Sequence, residues 1–224
     1  MKRSDGANVT NKLRHVVIEG AIGVGKTSLA RRLAESLDGE TLLERPEDNP
    51  FLDRFYAEPG RHALATQLSF LVQRTMQMQQ LREGDLFRPR IVSDFLIAKD
   101  RLFAEVTLDD KEFELYEQVY RHMVSDVKHP DLVVYLQAPV GVLQERIARR
   151  GRRMERNISD EYLAALSDAY NRFFHAYEES PLLIVNASGF NPVEDDTDYQ
   201  NLLDVILNMR GGRQFYNPLP AAWG

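Results

Sequence analysis

Residues 20–27, Gly20-Ala21-Ile22-Gly23-Val24-Gly25-Lys26-Thr27, follow the pattern G-x-x-x-x-G-K-[ST]. A β-branched run precedes them at 13–19 (LRHVVIE). Helical spacing through Leu29, Leu33 and Leu37 follows, closed by Asp38-Gly39. Strand, glycine loop and helix in that order open an α/β unit. The glycines let successive backbone N–H groups curl around phosphate oxygens where a side chain would clash. The helix that begins there adds a positive dipole end, equivalent to about half a charge. Lys26 can reach β- and γ-phosphates, Thr27 can ligate Mg²⁺, and Ser28 completes the first turn. Segment 20–28 therefore predicts a site for a nucleoside triphosphate with Mg²⁺. By itself it does not choose between hydrolysis, switching and phosphoryl transfer.

The rest of the chain extends the same alternation. Short apolar strands are expected at 41–44, 91–93, 131–137 and 182–186. Helices are expected at 62–83, 96–107, 109–127, 140–150, 159–177 and 197–209. Five strands alternating with helices, without hairpin signals, predict a parallel sheet covered on both faces. With 224 residues, 43% of them hydrophobic, one domain spanning 1–224 is expected, with a polar leader at 1–12 and an unassigned tail at 211–224. The formal net charge of -6 disfavours a nucleic-acid partner, since phosphate neutralisation needs a basic face. The chain has no cysteine, which excludes thiolate metal sites and a cysteine nucleophile. No run approaches the length of a membrane span and no targeting segment is visible, so a cytoplasmic protein is expected.

Several residues carry chemistry by their placement. Glu44 closes the second expected strand, at the carboxyl edge of a parallel sheet where ligands bind, and can accept a proton from an attacking hydroxyl. Glu47 is a rival for that role. Gln67 and Arg74 lie seven residues apart on one helix face with Phe70 and Leu71 between them. A polar pair in an apolar stripe suits a planar, hydrogen-bonding ligand. Asp94 follows the third strand, where a carboxylate can hold Mg²⁺ directly or through water. Arg146, Arg149, Arg150, Arg152, Arg153 and Arg156 cluster in an otherwise acidic chain. They are either a solvated helix end or a lid that closes on phosphate.

The blocks IEGAIGVGKTS, LLERPEDNPFLDRFY, Gln67 with Arg74, VSDF, and ERIARRGR followed by RMERN occur in order between His15 and Asn186. Together they resemble the deoxynucleoside kinases, in particular the bacterial deoxyguanosine/deoxyadenosine kinase branch. The resemblance implies a P-loop kinase fold with an arginine lid, and transfer of the ATP γ-phosphoryl group to a sugar 5′-OH. It further implies Glu44 as general base, Tyr56 on the sugar 3′-OH, Gln67 and Arg74 on the nucleobase edge and Phe103 packed on the base. The lid arginines would be Arg146, Arg150 and Arg152, with Glu155 holding the 3′-OH. Many members have Glu-Arg-Ser where this chain has Ser93-Asp94-Phe95, so the phosphate-contacting arginine is missing or supplied elsewhere. PEDNPFLDRFY is most like the purine branch, and members are commonly dimers through long helices, here across 102–127. A thymidylate kinase-like monophosphate kinase remains open through Arg54 and Arg61, as does a non-catalytic P-loop regulator.

Overall fold

In a computed structural model that describes residues 13–82, 89–124 and 127–218, the strands form one wholly parallel sheet. Its members are β1 (His15–Gly20), β2 (Gly39–Leu42), β3 (Arg90–Ser93), β4 (Leu132–Gln137), β5 (Leu182–Asn186) and β6 (Arg213–Tyr216), in the spatial order β2-β3-β1-β4-β5-β6. Central strand β1 pairs with β3 on one side and β4 on the other, with Val17 opposite both Ser93 and Val133. It is buried along nearly its whole length, as a strand covered on both faces must be.

The helices are α1 (Lys26–Ser36), α2 (Leu52–Ala57), α3 (Pro59–Arg82), α4 (Lys99–Thr107), α5 (Asp110–Met123), α6 (Val140–Arg150), α7 (Asp160–Ala176) and α8 (Asp196–Asn208). Leu29, Ala30, Leu33 and Ala34 make the buried face of α1. Leu163, Leu166, Tyr170 and Phe174 do the same for α7, joining the main core with Val133, Val134 and Val185. Local signals mark several boundaries. Ser159 caps α7 by accepting from the Tyr162 N–H at 3.1 Å. Asp109 and Glu112 form a capping box on α5. Gly151, with φ of 66°, ends α6.

The structure corrects the expected count: the sheet has six strands, not five. The extra strand, β6, lies inside the tail left unassigned at 211–224 and pairs in parallel with β5, Ile184 opposite Phe215. It is a four-residue edge strand with no β-branched residue and three exposed positions, so it carries neither signal that marks the others. The second strand runs Gly39–Leu42 rather than 41–44, because the Glu44 N–H leaves the ladder and donates to Asp94 Oδ1 at 2.7 Å. The Pro/Asn-rich bend before α3 contains the unforeseen helix α2. Its Leu52 and Phe55 form a smaller core with Ala63. Residues 1–12 and 219–224, and the ends of the helices expected at 62–83 and 109–127, lie outside the described residues. No described helix is long and apolar enough to cross a membrane.

Candidate active site

The P-loop lies between β1 and α1. Gly20 (φ 148°) and Gly23 (φ 87°) occupy backbone conformations that side chains rarely adopt. Each also lacks room: a Cβ on Gly20 would sit 2.4 Å from the Leu136 carbonyl oxygen, and one on Gly23 would sit 2.8 Å from Ile147. Ala21 and Val24 pack downward into the core, and Ser28 is exposed on α1. The first turn of α1 contains no acidic residue, which leaves its positive dipole end uncompensated. Lys26 Nζ donates to the carbonyls of Gly20 (2.8 Å) and Ala21 (3.2 Å). Burial, helped by repulsion from Lys99, lowers its pKa to about 8.

A cleft of about 1020 Å³ opens from this loop. Lys26, Thr27 and Asp94 line its phosphate end. Glu44, Tyr56, Gln67, Arg74 and Phe103 line the body, and Arg150 at the end of α6 reaches in with Arg152 and Glu155 from the segment that follows. These eleven sequence-predicted residues share one cavity with Ile22 and Gly23 of the P-loop and with Glu47, the rival to Glu44. Arg146 is not among them. It donates instead to the carbonyls of Val24 (3.2 Å) and Ala187 (2.9 Å), tying α6 to the P-loop and to the loop after β5. The side chain of Arg156 lies outside the described residues. Arg54 and Arg61 are exposed and do not line the cleft, so the cations that kept a monophosphate acceptor open are directed elsewhere.

The electrostatics centre on Glu44. Burial raises a carboxyl pKa, but Arg74, Lys99 and Lys26 outweigh burial here and hold Glu44 down at about 2. Arg74 Nε donates to Glu44 Oε1 at 2.7 Å, and its Nη1 donates to Asp100, which is fully buried. Its guanidinium lies 4.8 Å from the Phe70 ring centre. Arg74, expected to face a nucleobase, is thus committed to two carboxylates. Gln67 Nε2 donates to Thr107 at 3.1 Å, while its Oε1 is buried without a partner among the described residues. Thr27 Oγ1 donates to Asp94 Oδ2 at 2.5 Å. That hydroxyl and carboxylate are the hard oxygen donors Mg²⁺ prefers. Glu155 pairs with Arg150 (3.0 Å from Nε), and Phe103 meets Tyr170 edge-on, with centroids 6.0 Å apart.

Three buried charges at the site, Glu19, Lys99 and Asp100, were absent from the sequence reading. Their signal was present but faint. Glu19 ends an otherwise apolar strand, and Lys99-Asp100 follows the run Phe95-Leu96-Ile97-Ala98. Phe95 is buried, so no cation enters the cleft from that position.

Comparison with known proteins agrees with this geometry. The chain is 30% identical over 197 residues to the deoxyguanosine kinase of Bacillus subtilis, covering 86% of this chain and 95% of that protein. It is 32% identical over 221 residues to the deoxyadenosine kinase of Dictyostelium discoideum, covering 94% and 85% respectively. Its fold matches the structure of deoxyadenosine kinase from M. mycoides with bound dCTP. The TM-score is 0.74 at 22% identity, over 87% of this chain and 100% of that one. Residues 16–209 match the deoxynucleoside kinase family as a whole. With a P-loop and the half-buried carboxylate of Glu44 lining one cleft, the chain belongs to the deoxynucleoside kinase family, as a nucleotide-binding phosphotransferase that acts on deoxynucleosides.

Proposed function

We propose that the chain transfers the γ-phosphoryl group of Mg²⁺-ATP to the 5′-OH of a purine deoxyribonucleoside, deoxyadenosine or deoxyguanosine. The observation that carries this reading is the placement of Lys26 and Glu44 in a single cleft. Lys26 and the loop N–H groups of residues 20–27 hold the triphosphate. The hydroxyl of Thr27 and the carboxylate of Asp94 would hold Mg²⁺, which when bound neutralises charge on the β- and γ-phosphates. Glu44 orients the 5′-OH and takes its proton. Held at about 2, it is a weak base, which suits a loose transition state where the hydroxyl proton leaves late.

The nucleoside lies along Tyr56, Gln67 and Phe103. Gln67 Oε1, buried and unpartnered, is an acceptor for an amino or imino N–H of the base, and adenine and guanine both offer one. The names of the relatives, deoxyguanosine and deoxyadenosine kinases, support the purine preference. Arg150 and Arg152 contact the transferring phosphoryl group when the segment after α6 closes. Glu155 then exchanges its pairing with Arg150 for the sugar 3′-OH. Arg146 serves this site by fixing α6 against the P-loop. Exposed Leu115 on α5, within 102–127, with Val72 on the neighbouring α3, supports a homodimer through long helices. The same reading takes 1–224 as one kinase domain working in the cytoplasm, without nucleic-acid or membrane partners.

The test is ADP release by the purified protein with Mg²⁺-ATP, with and without each deoxynucleoside. Turnover should depend on added deoxyadenosine or deoxyguanosine. Equal turnover without nucleoside would refute the reading.

A further inference from the structure

Five buried or half-buried charges of alternating sign run from the sheet into the cleft: Glu19, Lys99, Glu44, Arg74 and Asp100. Glu19 anchors one end. It is fully buried and accepts from the N–H groups of Leu96 (2.6 Å) and Gly20 (3.1 Å) and from the Tyr170 hydroxyl (3.1 Å). Arg74, nearer the other end, is saturated by two carboxylates. Lys99 differs from both. Only 1% exposed, it sits 3.5 Å from Glu19 Oε1 and 3.5 Å from Glu44 Oε1, and makes no hydrogen bond to any described residue. An ammonium has three donors, and a buried one seldom leaves them idle. Lys99 also lines the cleft beside Lys26, with Nζ 5.8 Å from the Phe103 ring centre.

We infer that Lys99 is a further catalytic residue, a second cation that donates to the phosphoryl group as it passes to the acceptor oxygen. The inference rests on the kinase reading above. An acceptor hydroxyl bound to Glu44 lies about 2.7 Å from the carboxylate. With Glu44 Oε1 taken by Arg74, the hydroxyl meets the other carboxylate oxygen, and Lys99, 3.5 Å from Oε1, is then within reach of the oxygens around the reacting phosphorus. As the bond from acceptor oxygen to phosphorus forms, the bond from phosphorus to the bridging oxygen breaks and ADP leaves with its electron pair. The hydroxyl proton passes to Glu44, and Lys99 keeps its own proton throughout. Glu19, fully buried and held by three donors, is the fixed counter-ion beside Lys99. Repulsion between Lys99 and Lys26 is relieved when a polyanion enters between them.

The test compares Lys99→Met, Lys99→Arg and the double variant Glu19→Gln/Lys99→Met in steady-state kinetics with Mg²⁺-ATP and a deoxynucleoside. Thermal unfolding of each is followed in parallel. Lys99→Met should lower kcat about 10²–10³-fold, the range seen when one transition-state donor is removed. Its KM values should change little, and Lys99→Arg should regain at least about tenfold of the loss. The double variant, which removes the unpaired buried charge, should recover thermal stability but not kcat. A double variant with near-normal kcat would overturn the inference, since Lys99 would then only neutralise Glu19. So would a loss confined to KM. Normal turnover in both wild type and Lys99→Met overturns this inference alone, whereas no nucleoside-dependent turnover in wild type overturns the kinase reading with it.

Discussion

Replacing Glu44 with glutamine separates the chemical role of this carboxylate from its electrostatic one. Glutamine keeps the shape and one acceptor but cannot take a proton or neutralise Arg74 and Lys99. General bases contribute about 10²–10⁴-fold. A carboxylate held at about 2 is a poor proton acceptor at neutral pH, so the expected loss lies at the low end, about 10² in kcat. KM for the nucleoside should move little, because the interaction removed is made mainly in the transition state.

Stability supplies an independent reading of the same variant. The fall of the Glu44 pKa from 4.5 to about 2 corresponds to about 3 kcal/mol of preference for the charged form in the folded protein. Because the folded value lies below the unfolded one, this stabilisation is present in full above pH 4.5. It is lost as pH falls towards 2. Wild type should therefore exceed Glu44→Gln by about 3 kcal/mol at pH 7, with the gap closing between pH 4.5 and 2. Taking the difference between the two proteins cancels the other carboxylates. Urea unfolding from pH 2 to 7, alongside initial-rate kinetics, measures both effects. A kcat loss below tenfold, or a stability gap that does not depend on pH, would refute the argument.

Two further outcomes follow from the site. Triphosphate binding must charge Lys26 fully, so at pH 8 ATP binding should take up about half a proton, and almost none at pH 6.5. Calorimetry in buffers of different ionisation enthalpy reads this directly, and heats independent of buffer at pH 8 would count against Lys26 as the phosphate lysine. If Glu155 holds the sugar 3′-OH, wild type should disfavour 2′,3′-dideoxynucleosides by about 10–100-fold, as a buried polar partner left unsatisfied implies. Glu155→Ala should lose most of that discrimination. Equal discrimination in both proteins would make Glu155 only the partner of Arg150.

What could be read from the sequence follows the range of the signal. The P-loop is local, with its glycines, lysine and threonine within eight residues, and it folds as its pattern requires. The apolar runs of β1, β4 and β5 and the helix Val140–Arg150 were equally legible, because burial on both faces or on one stripe writes itself into composition. Edge strand β6 was not. It buries too little to need apolar or β-branched residues, and only the two glycines before it, both at positive φ, punctuate the chain. Most of the candidate site could be named residue by residue, yet its charge network could not. Glu19 meets Lys99 across 80 positions and Arg74 meets Asp100 across 26, and such pairings arise from tertiary packing alone. Gln67 and Arg74 stand out in the sequence as a polar pair in an apolar stripe, and both are buried and line the cleft, but the stripe does not reveal that Arg74 bridges two carboxylates.

The central claim is that an uncharged sugar hydroxyl is the acceptor. It is tested most directly by offering γ-labelled ATP and Mg²⁺ together with equal concentrations of deoxyguanosine and its 5′-monophosphate, then separating the products. The account predicts label in the 5′-monophosphate, one ADP formed for each, and little nucleoside diphosphate. Label appearing mainly in the diphosphate, or in inorganic phosphate whether or not nucleoside is present, would contradict it.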